Sequence, residues 1–154
     1  MRHTLRIALA IMLMPWAVLT LAGRAGAALE IQDPFAWAVP PGQTNSAIFM
    51  RLVNGGDAPL VLVGGRSEAA AAVELHTHTM EDGMMKMRRV ERIAVPAKGA
   101  VALEPGGLHI MLIGLKRDLV PGGAVDLALA LDDGSVIPVQ AEVREPEAMG
   151  HHHH

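Results

Sequence analysis

The stretch Val73-Glu74-Leu75-His76-Thr77-His78-Thr79-Met80-Glu81-Asp82-Gly83-Met84-Met85-Lys86-Met87-Arg88-Arg89-Val90 reads as one β-hairpin. Its centre, Asp82-Gly83, is a dipeptide that tolerates the positive φ angles a two-residue hairpin turn requires. A loop of that length sets the register: Met80 faces Met85, His78 faces Met87 and His76 faces Arg89. Side chains two apart share a face of a strand, so His76, His78, Met80, Met85 and Met87 point one way. Val73, Leu75, Thr77, Thr79 and Val90 point the other way and make the better core face.

Outward from the hairpin, apolar runs of strand length alternate with turn formers, and no stretch of helical period competes with them. The expected strands are Leu29–Ala38, Ser46–Asn54, Leu60–Gly64, Ala72–Met80, Met84–Val90, Arg92–Val95, Ala100–Leu103, His109–Leu115, Ala124–Leu131 and Ser135–Arg144. Pro40-Pro41-Gly42, Asn54-Gly55-Gly56-Asp57, Pro105-Gly106-Gly107, Pro121-Gly122-Gly123 and Asp132-Asp133-Gly134 supply the breaks between them. Ala69 to Ala72 is the one candidate for a helical turn. Short strands at this spacing predict an all-β domain, a Greek-key β-sandwich or barrel rather than a parallel α/β sheet.

The chain has 154 residues, room for one modest domain with appendages. Arg2 and Arg6 precede an apolar run from Ile7 to Gly23, and Ala25-Gly26-Ala27 follows, the layout of a secretory signal peptide over residues 1–27 with cleavage after Ala27. Residues 28–144 would then be the domain. Residues 145–154 lose the alternation and are expected to be a flexible tail. Its ending, His151, His152, His153 and His154, reads either as a metal-collecting arm or as the remnant of a purification tag.

Composition removes several function classes. Thirteen Lys and Arg stand against sixteen Asp and Glu. Without Arg2, Arg6 and Arg24 the exported part is more acidic still, which disfavours nucleic acid as a partner. The absence of cysteine excludes disulfides, thiolate zinc sites, iron–sulfur clusters and blue-copper centres. No Gly-x-Ser-x-Gly elbow surrounds Ser46, Ser67 or Ser135 and no His-Glu-x-x-His occurs, so the chain is not expected to be an enzyme.

What stands out is sulfur. Ten Met accompany two Phe, two Trp and no Tyr. A lone Met on a strand is ordinarily gap-filling core, and a lone strand His is equally ordinary. Here, however, each of the domain's histidines, His76, His78 and His109, lies within two residues of a histidine or methionine on two strands only. Leu108-His109-Ile110-Met111-Leu112-Ile113 places His109 and Met111 on one strand face. Imidazole and thioether without thiolate or carboxylate suit Cu(I), whereas Mg²⁺ or Ca²⁺ would demand oxygen and Zn²⁺ is poorly served by Met. A thioether needs no deprotonation and forms no disulfide, so such donors work in an oxidising compartment.

The spacing His76, ten residues, Met87, twenty-one residues, His109-x-Met111 resembles the His-X10-Met-X21-His-X-Met signature of the PCu(A)C periplasmic copper chaperones. Met80-Glu81-Asp82-Gly83 and Gly107-Leu108-His109-Ile110-Met111-Leu112 look like that family's usual surroundings. The resemblance implies a cupredoxin-like β-sandwich and a Cu(I) site made by His76, Met87, His109 and Met111. It also implies a periplasmic carrier whose partner is a copper-accepting oxidase-assembly protein or oxidase subunit, serving the copper centres of cytochrome oxidase. His78 stands where many members carry Met. It joins Met80, Met85 and His151 to His154 as an auxiliary candidate, with Cu(II) a further cargo at the auxiliary histidines. Neutral donors on exposed strand faces would let the ion leave by stepwise ligand exchange. Copper sequestration is the alternative within the metal class, and a structural or adhesion sandwich the alternative outside it.

Overall fold

A computed structural model describes residues 28–146. The expected signal peptide and nearly all of the expected tail, His151 to His154 included, lie outside the described residues. Ten strands follow in order: β1 Leu29–Trp37, β2 Asn45–Asn54, β3 Leu60–Arg66, β4 Ala70–Glu81, β5 Met84–Val90, β6 Ile93–Val95, β7 Ala100–Leu103, β8 His109–Leu115, β9 Ala124–Leu131 and β10 Val136–Arg144. Most bounds fall within a residue or two of those expected from turn chemistry.

The helical turn expected over Ala69 to Ala72 does not form. Ala70 pairs with Leu115 and Ala72 with Ile113, so these alanines open β4, and the turn is confined to Glu68 and Ala69. Tertiary pairing overrides the helix preference of alanine here, as it commonly does for so short a run.

Hydrogen-bonded order runs β5-β4-β8-β2-β1-β10-β9-β3-β6, with β7 also paired to β2. The β1–β10 pair is parallel and the other pairs are antiparallel. This long path folds over on itself, since β3 also packs against β4, and β6 against β2. One apolar face of nearly every strand thereby meets a single core, the all-β sandwich class that the turn spacing predicts. Ile48, Leu52, Leu62, Ile110, Leu112, Leu129 and Val143 are among its most enclosed side chains, each worth about 1.5–3 kcal/mol of burial. At the fold-over, Gly65 passes so close to β9 that an added Cβ would lie 2.8 Å from the Ala128 carbonyl.

Among the described residues Ser46, Asn54 and His109 are the buried polar side chains, and Asn54 is the one that ties strands across the core. Asn54 donates through Nδ2 to the carbonyls of Ala58 at 2.8 Å and Val95 at 3.2 Å, and its Oδ1 accepts from the Gly56 N–H at 2.9 Å. It ties the end of β2 to the following turn and to β6 across the sandwich. Replacing it by alanine takes this partner from the Val95 carbonyl, in a buried bond, and from the Ala58 carbonyl and Gly56 N–H, in part-buried ones, and unsatisfied buried groups cost about 1–3 kcal/mol each. Asn54→Ala is expected to lower unfolding free energy by about 2–4 kcal/mol in urea titration. A loss below about 0.5 kcal/mol would show that the tie is not structural.

Candidate metal centre

The β4–β5 hairpin has the register its turn dictates. Asp82 and Gly83 take φ values of 52° and 75°, and Met80 pairs with Met85, His78 with Met87 and His76 with Arg89. On the other side of β4, His76 pairs with His109 and Glu74 with Met111. β4 therefore lies between the strand bearing Met87 and the strand bearing His109 and Met111. Directly opposed residues of an antiparallel pair share a face, so the two sequence motifs meet on one surface.

That surface is the outer face of the β5-β4-β8-β2 portion. Leu75, Ile110 and Ile48 turn into the core from the same strands. On the hairpin's core side only Leu75 is fully buried; Val73 and Val90 pack at the margin, and Thr77 and Thr79 are half-buried. Beyond the core this side carries charge. Glu81 is held down to about 2 by hydrogen bonds from Arg88 and then Lys86.

The structure brings the three histidines together. Ring centroids lie 5.9 Å apart for His76 and His109, and 5.1 Å apart for His78 and His109, the latter pair stacked at 29°. Exposed strand faces were expected at this site, and for His109 that expectation fails, because it is only 2% exposed. The cause is an aromatic wall: Phe49 packs 6.2 Å from the His109 ring, and Phe35 and Trp37 of β1 pack against Phe49. Composition gave little sign of this wall, which concentrates three of the chain's four large aromatic side chains on β1 and β2.

Each imidazole presents a buried nitrogen with no hydrogen-bond partner: Nδ1 of His76, Nδ1 of His78 and Nε2 of His109. Two of these follow from the bond made by the other ring nitrogen. The His109 Nδ1–H donates to the Gly107 carbonyl at 2.9 Å, which leaves a bare lone pair on Nε2. The His76 Nε2–H donates to Glu74 Oε2 at 2.9 Å, which leaves one on Nδ1. Such outer bonds fix tautomer and ring direction in metal-binding histidines. Glu74 is itself steadied by Arg89 at 3.3 Å, and its carboxyl is lowered chiefly by the His76 hydrogen bond. Sequence reasoning gave Glu74 no role, though its place two residues before His76 on the same strand face was a usable signal.

The methionines flank this cluster. Met87 sits across from His78 and diagonal to His76, while Met111 sits two residues beyond His109. In an untwisted sheet the Met87 and Met111 backbones would be about 16 Å apart, so their thioethers approach the imidazoles from opposite corners. Met80, Met84 and Met85 stand exposed toward the hairpin tip. Among the described residues, no group of three His, Asp or Glu side chains is arranged to hold a metal ion. A groove lined by Arg66, Lys116 and Gln140 among others does not include these histidines.

Residues 29–143 match the family described as "Putative lipoprotein LpqE-like", and the chain belongs to that family. It is 34% identical over 116 residues to "Putative lipoprotein Lxx21020" of Leifsonia xyli subsp. xyli, covering 75% of this chain and 70% of that one. It is 30% identical over 101 residues to "Uncharacterized protein RP573" of Rickettsia prowazekii, covering 65% of this chain and only 56% of that relative. Among solved structures it is similar to the solution structure of CuI-DR1885 from Deinococcus radiodurans, at 38% identity and TM-score 0.62, covering 82% of this chain and 87% of that one. It is also similar to the copper-bound PCuAC domain from PmoF2, at 25% identity and TM-score 0.66, covering 77% and 94%.

Burial lowers the His109 pKa from its ordinary 6.5, with the neighbouring His78 and His76 adding to the effect against the Gly107 hydrogen bond. A folded state that resists protonation contributes stability above the unfolded pKa and loses it as pH falls through the folded value. The metal-free protein should therefore lose urea resistance as pH falls below the ordinary 6.5 toward the lowered folded value, and His109→Phe should flatten that slope. Equal slopes in the two proteins would show that His109 is not held neutral by its surroundings.

Proposed function

We propose that the chain is an exported copper carrier that holds Cu(I) on His76, Met87, His109 and Met111 and releases it to an acceptor by ligand exchange. The observation that carries this reading is the set of buried, unpartnered imidazole nitrogens, two with their tautomers set by outer hydrogen bonds, on a face flanked by methionine. Leaving a buried polar atom without a partner costs about 1–3 kcal/mol, and a bound ion removes that cost. Neutral imidazole and thioether match a soft monovalent ion. Similarity to proteins solved with copper bound supports the same cargo.

The donors also suit transfer rather than chemistry. Met87 is 43% exposed on the outermost strand of the path, so an incoming ligand can replace it while the buried His109 still holds the ion. Residues 1–27 as a signal peptide and a family described as lipoproteins support export. The periplasm is the compartment this reading takes. The acceptor it takes is an oxidase-assembly protein or oxidase subunit, as the PCu(A)C resemblance implies.

Cu(I) titration against a chromogenic chelator under reducing conditions should give one tightly held ion per chain. His109→Ala, Met111→Leu and Met87→Leu should each weaken it by about tenfold or more. Affinities unchanged by all three substitutions would end the reading. Because the two thioethers start at opposite corners, binding should also draw β5 toward β8 and slow amide exchange over Met84–Val90. Transfer to an apo oxidase-assembly acceptor, with an oxidase defect on deletion, is the outcome expected of a carrier. Copper sensitivity with normal oxidase would instead assign sequestration.

A further inference from the structure

His78 is the part of this face that a two-imidazole, two-thioether site does not use. Its ring stacks on His109 with centroids 5.1 Å apart, closer than His76 lies to His109. Its Nδ1 is buried and has no hydrogen-bond partner, as are His76 Nδ1 and His109 Nε2. A histidine whose role was only to fill space on a half-exposed sheet face would turn that nitrogen to water or to a neighbouring donor. Instead three neighbouring imidazoles each keep one buried ring nitrogen without a partner.

Donor chemistry says what a third imidazole would add. Thioether sulfur favours the soft cuprous ion, whereas Cu(II) is the most strongly bound of the divalent first-row ions by nitrogen donors and prefers tetragonal imidazole sets. We infer that His78 joins His76 and His109 in a second, all-imidazole donor set on the same face, which lets this chain take cupric as well as cuprous copper. The two sets share His76 and His109 and differ in their remaining donors, His78 for Cu(II) and the pair Met87 and Met111 for Cu(I). They are therefore alternatives for one ion rather than two sites.

The set is not closed beforehand, because no three such side chains are already arranged to hold an ion among the described residues. Closing it asks the His76 and His78 side chains, both only half-buried, to turn toward His109, which is clamped by Gly107. Cu(II) binding by this set involves no electron transfer. The inference rests on the copper-carrier reading for the identity of the cargo, and the two can fail separately.

The test uses the full chain with His151, His152, His153 and His154 each replaced by Gln, so that the terminal histidines do not contribute. Cupric sulfate is titrated against a competing chelator and followed by electron paramagnetic resonance, and Cu(I) affinity is measured in parallel. The parent should bind one Cu(II) with hyperfine structure from several imidazole nitrogens. His78→Met should weaken Cu(II) by about tenfold or more while moving Cu(I) affinity less than about threefold. Met87→Leu with Met111→Leu should do the reverse, and His78→Asn, a smaller polar change, guards against misfolding in the Met variant. Cu(I) bound with Cu(II) refused, or a cupric spectrum and affinity unchanged by both His78 variants, overturns this inference alone. Failure to bind either ion overturns the carrier reading with it.

Discussion

The pairing of β4 with β8, at His76 opposite His109, is the contact on which the rest of the site depends. Next to it along the ladder come Leu75 opposite Ile110 on the core side and then Glu74 opposite Met111 on the same outer face. Slipping this register by one residue would carry Leu75 and Ile110 out of the core and turn the histidines into it. Burial of two large aliphatic side chains therefore holds two imidazoles at a fixed spacing, and the metal chemistry inherits its geometry from the hydrophobic effect.

Around that pair the sheet supplies two different environments. On the β8 side His109 is enclosed by Phe49 and the β1 aromatics and clamped by a backbone carbonyl. On the β5 side Met87 and the Met-rich tip are exposed on a strand with one paired edge. A clamped, desolvated donor beside accessible ones is an arrangement suited to holding an ion while its other ligands change. The same desolvation keeps His109 neutral, as a ligand must be. Stability is bought elsewhere, by the Asn54 tie and the continuous aliphatic core, so the face can leave polar nitrogens unpartnered.

Much of this was legible in the residues. The alternation and turn dipeptides located all ten strands, and Asp82-Gly83 alone set the hairpin register that placed His78 opposite Met87. The face shared by His76, His78, Met80, Met85 and Met87 followed from strand period. Less legible was the start of β4, where alanines that favour helix in isolation are recruited by β8. The enclosure of His109 was also hidden, because Phe35, Trp37 and Phe49 lie far from it in sequence.

By itself the sequence determined which residues lie within one strand or across one tight turn from each other, because periodicity and turn geometry are local and act over a few residues. It set the donor types, imidazole and thioether without thiolate, and hence the class of ion they suit. Only the tertiary structure decided that β8 lies beside β4, that Glu74 and Gly107 fix the ring tautomers, and that His78 stacks on His109. Those contacts come from strand order, which is settled when one apolar face of every strand must reach a common core, and no local pattern encodes that order.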